Sequence, residues 1–307
     1  MDSDSQIAVG QLEVGMIGVG LMGTVMSRRL IEAGFSVTGF DPRPQARTGL
    51  AAVGGTPVES IADLTRRCER AVISVFDTAQ VEDVIEGPDG VLSVPPAERR
   101  LRVVVNTATC EPDRIAALAE RASARGLHFV ELPISGTSQQ VAQGEGVGLV
   151  AGERQVTDAS ADIIAAISPR TYFMGAFGNG AKTKLAINLV LGLNRAALAE
   201  GLTLADRLGL HLDSFIQAAK GSAAYSQIMD VKGAKMIARD FTPHGKVGQS
   251  LKDFGLILDA AATRGQALPL ASVYAELMHG CVDAGEAELD NCAIIEEIAR
   301  RKVKAAE

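Results

Sequence analysis

The stretch Val14-Gly15-Met16-Ile17-Gly18-Val19-Gly20-Leu21-Met22-Gly23 decides how the rest of the chain is read. The apolar run from Leu12 to Ile17 predicts a buried parallel strand. It breaks into G-x-G-x-x-G at Gly18, Gly20 and Gly23, and an apolar-periodic helix follows to Gly34. In such a turn the first glycine makes the bend and the second lets backbone approach a pyrophosphate. The third lets the helix pack close to the strand. Val19, Leu21 and Met22 complete the loop, where the helix N-terminus offers N–H groups and a positive dipole end to an anion. Among 32 glycines the motif alone is a weak signal, but it stands between a strand pattern and a helix pattern. A second strand, Ser36 to Phe40, ends in Asp41, in the interval where a ribose-binding acid is expected.

Working outward, short apolar strands alternate with helical segments up to about residue 177. The clearest strands are Ala71–Phe76, Arg102–Thr107, His128–Leu132, Gly146–Ala151 and Thr171–Met174, with helices notably at Pro112–Arg125 and Asp158–Ile167. This alternation predicts a doubly wound α/β unit, a Rossmann-type parallel sheet covered on both faces. Beyond residue 177 the strand signal stops. The run Lys182 to Leu208 has no proline and is apolar almost all round, which predicts a long helix buried on every face. Further helices are expected at about 213–220, 224–238, 246–264, 270–285 and 291–304. The expected organisation is a polar tail at 1–11, a dinucleotide-binding domain at 12–176, and an all-α domain for substrate and oligomerisation at 177–307, joined through the long helix.

Bulk composition narrows the function classes. A net charge of −7 without a basic run argues against a nucleic-acid surface. No run of about 18 uninterrupted apolar residues occurs and the start lacks an apolar h-region, so neither a membrane span nor a signal peptide is expected. Cys68, Cys110, Cys281 and Cys292 show no C-x-x-C spacing, so free thiols in a reducing cytoplasm are expected, with no metal site.

Four stretches could carry chemistry. Lys184 and Asn188 are i and i+4, so they share a helix face at the start of the long apolar helix. Burial there lowers a lysine pKa and suits it to proton exchange near neutrality. The plain alternative is a solvated lysine before a buried helix. Ser135, Gly136 and Thr137 close a strand at the carboxyl edge where open α/β sheets place ligands, and there they could hold a carboxylate or simply form a β-turn. Thr109, in Asn106-Thr107-Ala108-Thr109, could touch a nicotinamide or substrate, or it or a neighbour could cap the helix that leads into Pro112. Lys252-Asp253 by itself reads as a surface ion pair.

In this order the stretches resemble the β-hydroxyacid dehydrogenase family, over nearly the whole chain after the tail. The opening loop resembles the family's G-x-G-x-M-G with Met22 in place. Glu131-Leu132-Pro133-Ile134-Ser135-Gly136-Thr137 resembles D-A-P-V-S-G-G, and Gly178 to Asn188 resembles G-x-G-x-x-x-K-x-x-N-N. Lys252-Asp253 falls on the family's K-D pair, and Gly221-Ser222 and Asp240-Phe241 resemble further landmarks. The resemblance implies hydride transfer between a nicotinamide and a small 3-hydroxy acid or its semialdehyde. It casts Lys184 as general acid and base, Asn188 as orienting group, Ser135, Gly136 and Thr137 as substrate ligands, and Thr109 and Lys252 at the cofactor. Departures fall at Thr137 for glycine, Ile187 for the first asparagine, and Asn106 and Ala108 in D-x-S-T; they put the particular substrate in question. Asp41 favours NAD, while Arg43 nearby suits a 2′-phosphate and keeps NADP open. An imine reductase, a non-catalytic dinucleotide-binding module and a decarboxylating sugar-phosphate dehydrogenase are the rivals; Lys184 argues against the first two, and the third usually has a longer second domain. The apolar helices point to a homodimer or homotetramer.

Overall fold

The computed structural model describes residues 13–302; the expected polar tail and Leu12 lie outside them. The chain divides into two compact units, one up to Ala181 and one from Lys182.

Among the described residues the first unit carries nine strands: β1 (Glu13–Ile17), β2 (Ser36–Phe40), β3 (Thr56–Pro57), β4 (Arg70–Ile73), β5 (Val103–Asn106), β6 (His128–Glu131), β7 (Ile134–Ser135), β8 (Val147–Gly152) and β9 (Arg170–Phe173). Its helices are α1 (Leu21–Glu32), α2 (Pro44–Ala52), α3 (Ile61–Arg67), α4 (Thr78–Glu86), α5 (Pro112–Ala124), α6 (Ser138–Ala142), α7 (Arg154–Ala159) and α8 (Ala161–Ile167). The sheet order is β3-β2-β1-β4-β5-β6-β8-β7, with β9 on β8. Strands β1 to β6 pair in parallel, as the β/α alternation requires. The parallel rule fails at one place: β8 runs antiparallel to β6 and β7. Only the short α6 and its flanking turns separate β7 from β8, too little chain for a parallel crossover.

Successive strand residues point to opposite faces, and both faces are buried. Ile17, Ile73, Val104 and Phe129 pack with α3, α4 and α5 residues such as Leu64, Ile85 and Leu118. Met16, Val72, Val105 and Val130 pack with Met26 and Leu30 of α1 and Ile163 of α8. The single helix expected at Asp158–Ile167 is two helices, α7 and α8. They meet at Ser160, whose hydroxyl bonds back to the Val156 carbonyl and competes with the helical pattern.

The helix α9 (Asn179–Arg207) opens in the first unit and runs on into the second. There α10 (Leu212–Lys220), α11 (Ile228–Ala238), α12 (Val247–Ala262), α13 (Pro269–Asp283) and α14 (Ile294–Arg300) follow. Gly192 lets α9 and α12 approach closely: a Cβ there would lie 2.5 Å from the Phe254 ring. Phe254 in turn stacks on Tyr274 of α13 with ring centroids 4.0 Å apart. A fully buried ion pair, Lys232 to Asp290 at 2.6 Å, ties α11 to the segment before α14, and Asp290 also accepts the His244 and Cys292 N–H groups.

The expectation that α9 is buried on every face needs correction. One stripe is buried, through Lys184, Leu185, Asn188, Gly192, Arg195, Leu198, Ala199, Leu202 and Ala205. Val190 and Leu204 are 59% and 61% exposed. The helix is apolar around its circumference, but a chain of this size supplies partners for one side only. Among the described residues α9 is also the one helix long and apolar enough to cross a membrane, although no uninterrupted apolar run marks it in the sequence.

Candidate active site

The opening loop of the first unit forms the expected strand–turn–helix. Gly18 has φ +88°, and a Cβ there would sit 2.3 Å from the Ser74 carbonyl oxygen. A Cβ on Gly23 would sit 2.0 Å from the Gly18 carbonyl oxygen. Both glycines are therefore demanded by the protein's own packing. Gly20 differs, since a Cβ there would meet only the Arg43 Nη2, at 3.4 Å. The protein leaves space beside Gly20, as a turn that receives a pyrophosphate must. Gly20 is the N-cap of α1 and gives no side-chain cap, and the first turn of α1, with Leu21, Met22 and Gly23, contains no acid. That helix end is open to an anion, and these residues fit a dinucleotide.

Asp41 directly follows β2 and is buried. Its Oδ2 accepts the Val19 N–H at 3.0 Å, which ties the acid to the phosphate turn. Its Oδ1 accepts the Arg43 N–H at 3.0 Å, and the Arg43 guanidinium adds Nε to Oδ1 at 2.9 Å and Nη2 to Oδ2 at 3.0 Å. Burial pushes the carboxyl up, but the Arg43 guanidinium and the backbone donors together outweigh it and hold Asp41 below its ordinary value. Sequence reading noted Arg43 but not that it chelates the acid itself.

Thr109 is buried just past β5. It is not the cap of α5; the N-cap there is Glu111, whose N–H donates to Thr78 Oγ1 at 2.9 Å. Asn106 folds its side chain into a local turn, accepting the Ala108 N–H at 3.2 Å. Ser135 ends β7, and Gly136 follows it. Thr137 then caps α6 in a reciprocal box: its Oγ1 accepts the Gln140 N–H at 3.2 Å, and Gln140 Oε1 accepts the Thr137 N–H at 2.9 Å. Both the Thr137 hydroxyl and its N–H are thus engaged in holding the turn.

In the second unit, the buried stripe of α9 places Lys184 and Asn188 one turn apart, both under a tenth exposed. From α12, Asp253 reaches them: its Oδ2 accepts the Asn188 Nδ2 at 2.9 Å, and its Oδ1 pairs with Lys252 Nζ at 2.9 Å. The side chains of Lys252 and Asp253 are 15% and 10% exposed, so the pair is largely shielded from solvent rather than the surface pair that their sequence alone suggests. Burial lowers the Lys184 pKa to about 8, Asp253 opposes that shift, and Lys252 adds to it. An amine so placed exchanges protons near neutral pH. The sequence pairs Asp253 with Lys252 alone; Asn188 lies 65 positions away, and no local pattern links the two. Among the described residues no cluster of metal-binding side chains occurs.

A β/α sheet whose first turn is cleared for a pyrophosphate is the architecture of a dinucleotide-binding domain. Residues 13–175 match the NAD binding domain of 6-phosphogluconate dehydrogenase, and residues 178–298 match the NAD-binding domain of NADP-dependent 3-hydroxyisobutyrate dehydrogenase. L-threonate dehydrogenase from Cupriavidus necator is 31% identical over 271 residues, 88% of this chain and 90% of that protein. The 2-hydroxy-3-oxopropionate reductase of Escherichia coli is 28% identical over 249 residues, 81% of this chain and 84% of that one. The crystal structure of a 3-hydroxyisobutyrate dehydrogenase from Salmonella typhimurium superposes with a TM-score of 0.83 at 28% identity, covering 93% of this chain and 99% of that one. The chain belongs to the β-hydroxyacid dehydrogenase family and uses NAD(P).

Proposed function

We propose that this chain catalyses the reversible oxidation of a small 3-hydroxy acid to its semialdehyde, with Lys184 as general acid and base and with NAD preferred over NADP. The observation that carries this reading is Lys184 itself, buried one turn from Asn188 with a pKa brought down to about 8. When bound, the nicotinamide supplies hydride gain or loss. In oxidation, neutral Lys184 accepts the hydroxyl proton at Nζ; in reduction its ammonium returns that proton to the carbonyl oxygen. A pKa near 8 keeps both forms populated at neutral pH. Asn188, fixed by Asp253, orients the amine or the reacting oxygen. Ser135 and Gly136 hold the substrate carboxylate, and Thr137 shapes that turn through its cap on α6. Thr109 and Lys252 serve the cofactor.

The named relatives handle short carboxylates such as L-threonate and 2-hydroxy-3-oxopropionate, which supports a substrate of that size and charge. The NAD preference rests on the carboxylate of Asp41, which can accept ribose hydroxyls and repels a 2′-phosphate. The exposed apolar side of α9 supports a homodimer or homotetramer. A cytoplasmic setting is supported by four free, buried cysteines. In three of them, Cys68, Cys281 and Cys292, burial pushes the thiol up to about 12. A net charge of −7 gives no support to a nucleic-acid partner.

The test is a panel of L-threonate, D-glycerate, 3-hydroxyisobutyrate and tartronate semialdehyde, each assayed with both nicotinamide cofactors. At least one pair should turn over, and Lys184→Ala should lose most of that rate while still binding cofactor. Undiminished turnover in Lys184→Ala would remove Lys184 from the mechanism.

A further inference from the structure

Gly192 sits on the buried stripe of α9, one turn past Asn188, and faces the ring of Phe254 on α12. A Cβ at position 192 would lie 2.5 Å from both Cε2 and Cζ of that ring and 3.2 Å from Tyr274 Cζ. Carbon atoms in contact stand about 3.5–4.0 Å apart, so a single methyl group there demands about 1 Å of retreat. Neither ring can give way alone. Phe254 and Tyr274 are 2% and 1% exposed, and their centroids are 4.0 Å apart. The Tyr274 hydroxyl accepts a hydrogen bond from Arg195 Nη1, back on α9. A close-packed interior passes such a displacement on to the backbone, so α12 would have to move away from α9. Glycine is also a poorer helix former than alanine, so position 192 gives up helix propensity for this close approach.

The residue before Phe254 is Asp253, whose Oδ2 accepts the Asn188 Nδ2 at 2.9 Å. The charges that act on Lys184, those of Asp253 and Lys252, both belong to α12, and all of these residues lie in the second unit. We propose that Gly192 is a positioning residue: with the Phe254 and Tyr274 rings as a spacer of fixed thickness, it sets the separation of α9 and α12 at which Asp253 meets Asn188 and stands against Lys184. This deepens the reading of Lys184 given above and rests on it. Gly201, on the same helix, has no such part, because a Cβ there would meet Phe215 Cζ at an ordinary 3.6 Å.

The experiment reads Lys184 directly, without a substrate. In full-length protein carrying lysine labelled with 13C at Cε, the Lys184 signal is identified by its loss in Lys184→Arg and titrated by NMR. Gly192→Ala should displace the midpoint by about half a pH unit or more. Adding Phe254→Leu, which removes the ring atoms that the new methyl would meet, should bring the midpoint back to the wild-type value. Gly201→Ala should leave it unmoved. Phe254→Leu by itself thins the spacer and should also displace the midpoint, and it serves as the test if Gly192→Ala does not fold. Turnover should fall about tenfold or more in Gly192→Ala and recover in the double variant. A midpoint unmoved in the two single variants, or displaced by Gly192→Ala and not restored by Phe254→Leu, overturns the proposal, whatever the change in thermal stability. If instead Lys184→Ala keeps its turnover, the catalytic reading of Lys184 fails, and the NMR titration still decides whether Gly192 positions it.

Discussion

Asn188 of α9 donates its side-chain amide to Asp253 of α12 at 2.9 Å, joining residues 65 positions apart. The other oxygen of Asp253 meets Lys252, and its charge is what keeps the buried Lys184 amine from losing its proton more readily still. Asp253→Asn should therefore lower the Lys184 pKa below about 8 and loosen Asn188. Turnover is expected to fall by about tenfold to a hundredfold. In the reductive direction, which needs the ammonium under the proposed mechanism, the pH above which the rate falls should move down. A pH–rate profile of wild type and variant in both directions checks this; superimposable profiles would remove Asp253 from the tuning.

The buried lysine also costs stability. Its folded pKa of about 8 lies below the ordinary 10.5, so between those values the unfolded chain holds a proton that the folded chain has released. Stability then rises with pH across that window and is lowest below it, by about 3 kcal/mol from this group. Lys184→Met should accordingly be more stable than wild type at pH 7 and lose that advantage near pH 10.5, while catalysis disappears. Urea denaturation at the two pH values measures both halves of the statement.

The proposed cofactor preference rests on Asp41, with Arg43 bound to it. In the structure Arg43 occupies both oxygens of the acid, so ribose hydroxyls must compete with the guanidinium. Arg43→Gln should tighten NADH and weaken NADPH, and Asp41→Ser should do the reverse, each by about tenfold. Fluorescence titration with the two reduced cofactors is sufficient. An Arg43→Gln variant that binds both as wild type does would show that the pair plays no part in the choice.

The outer side of α9 gives a fourth test. Val190 and Leu204 are exposed on a helix that is apolar around its circumference. If a second copy covers them, Val190→Glu with Leu204→Glu should shift the sedimenting species to monomer without loss of helix content. A wild-type protein that sediments only as monomer at working concentration would refute the expected oligomer.

How far the sequence could be read follows from how local each signal is. Gly18, Gly20, Gly23 and Asp41 lie within one β-α-β unit, so their spacing announced the unit and its phosphate turn. Lys184 and Asn188 are one helical turn apart, and that spacing showed a shared face. The antiparallel β8 was not legible, because its residues are as apolar as those of a parallel strand and only the short α6 connection sets the direction. The break at Ser160 was missed because a serine is tolerated within a helix, and its back-bond to Val156 appears only in three dimensions.

By itself the sequence determined the β/α alternation, the phosphate turn, the helical second half and the candidate lysine, because each is written in residues close together along the chain. Only the tertiary structure decided that Asp253 holds Asn188, that Arg43 saturates Asp41 and that Glu131 caps α9. It also decided that α9 buries one stripe rather than its whole surface. Hydrogen bonds and burial depend on distance in space, and residues 47, 50 or 65 positions apart carry no mark in the sequence of having met.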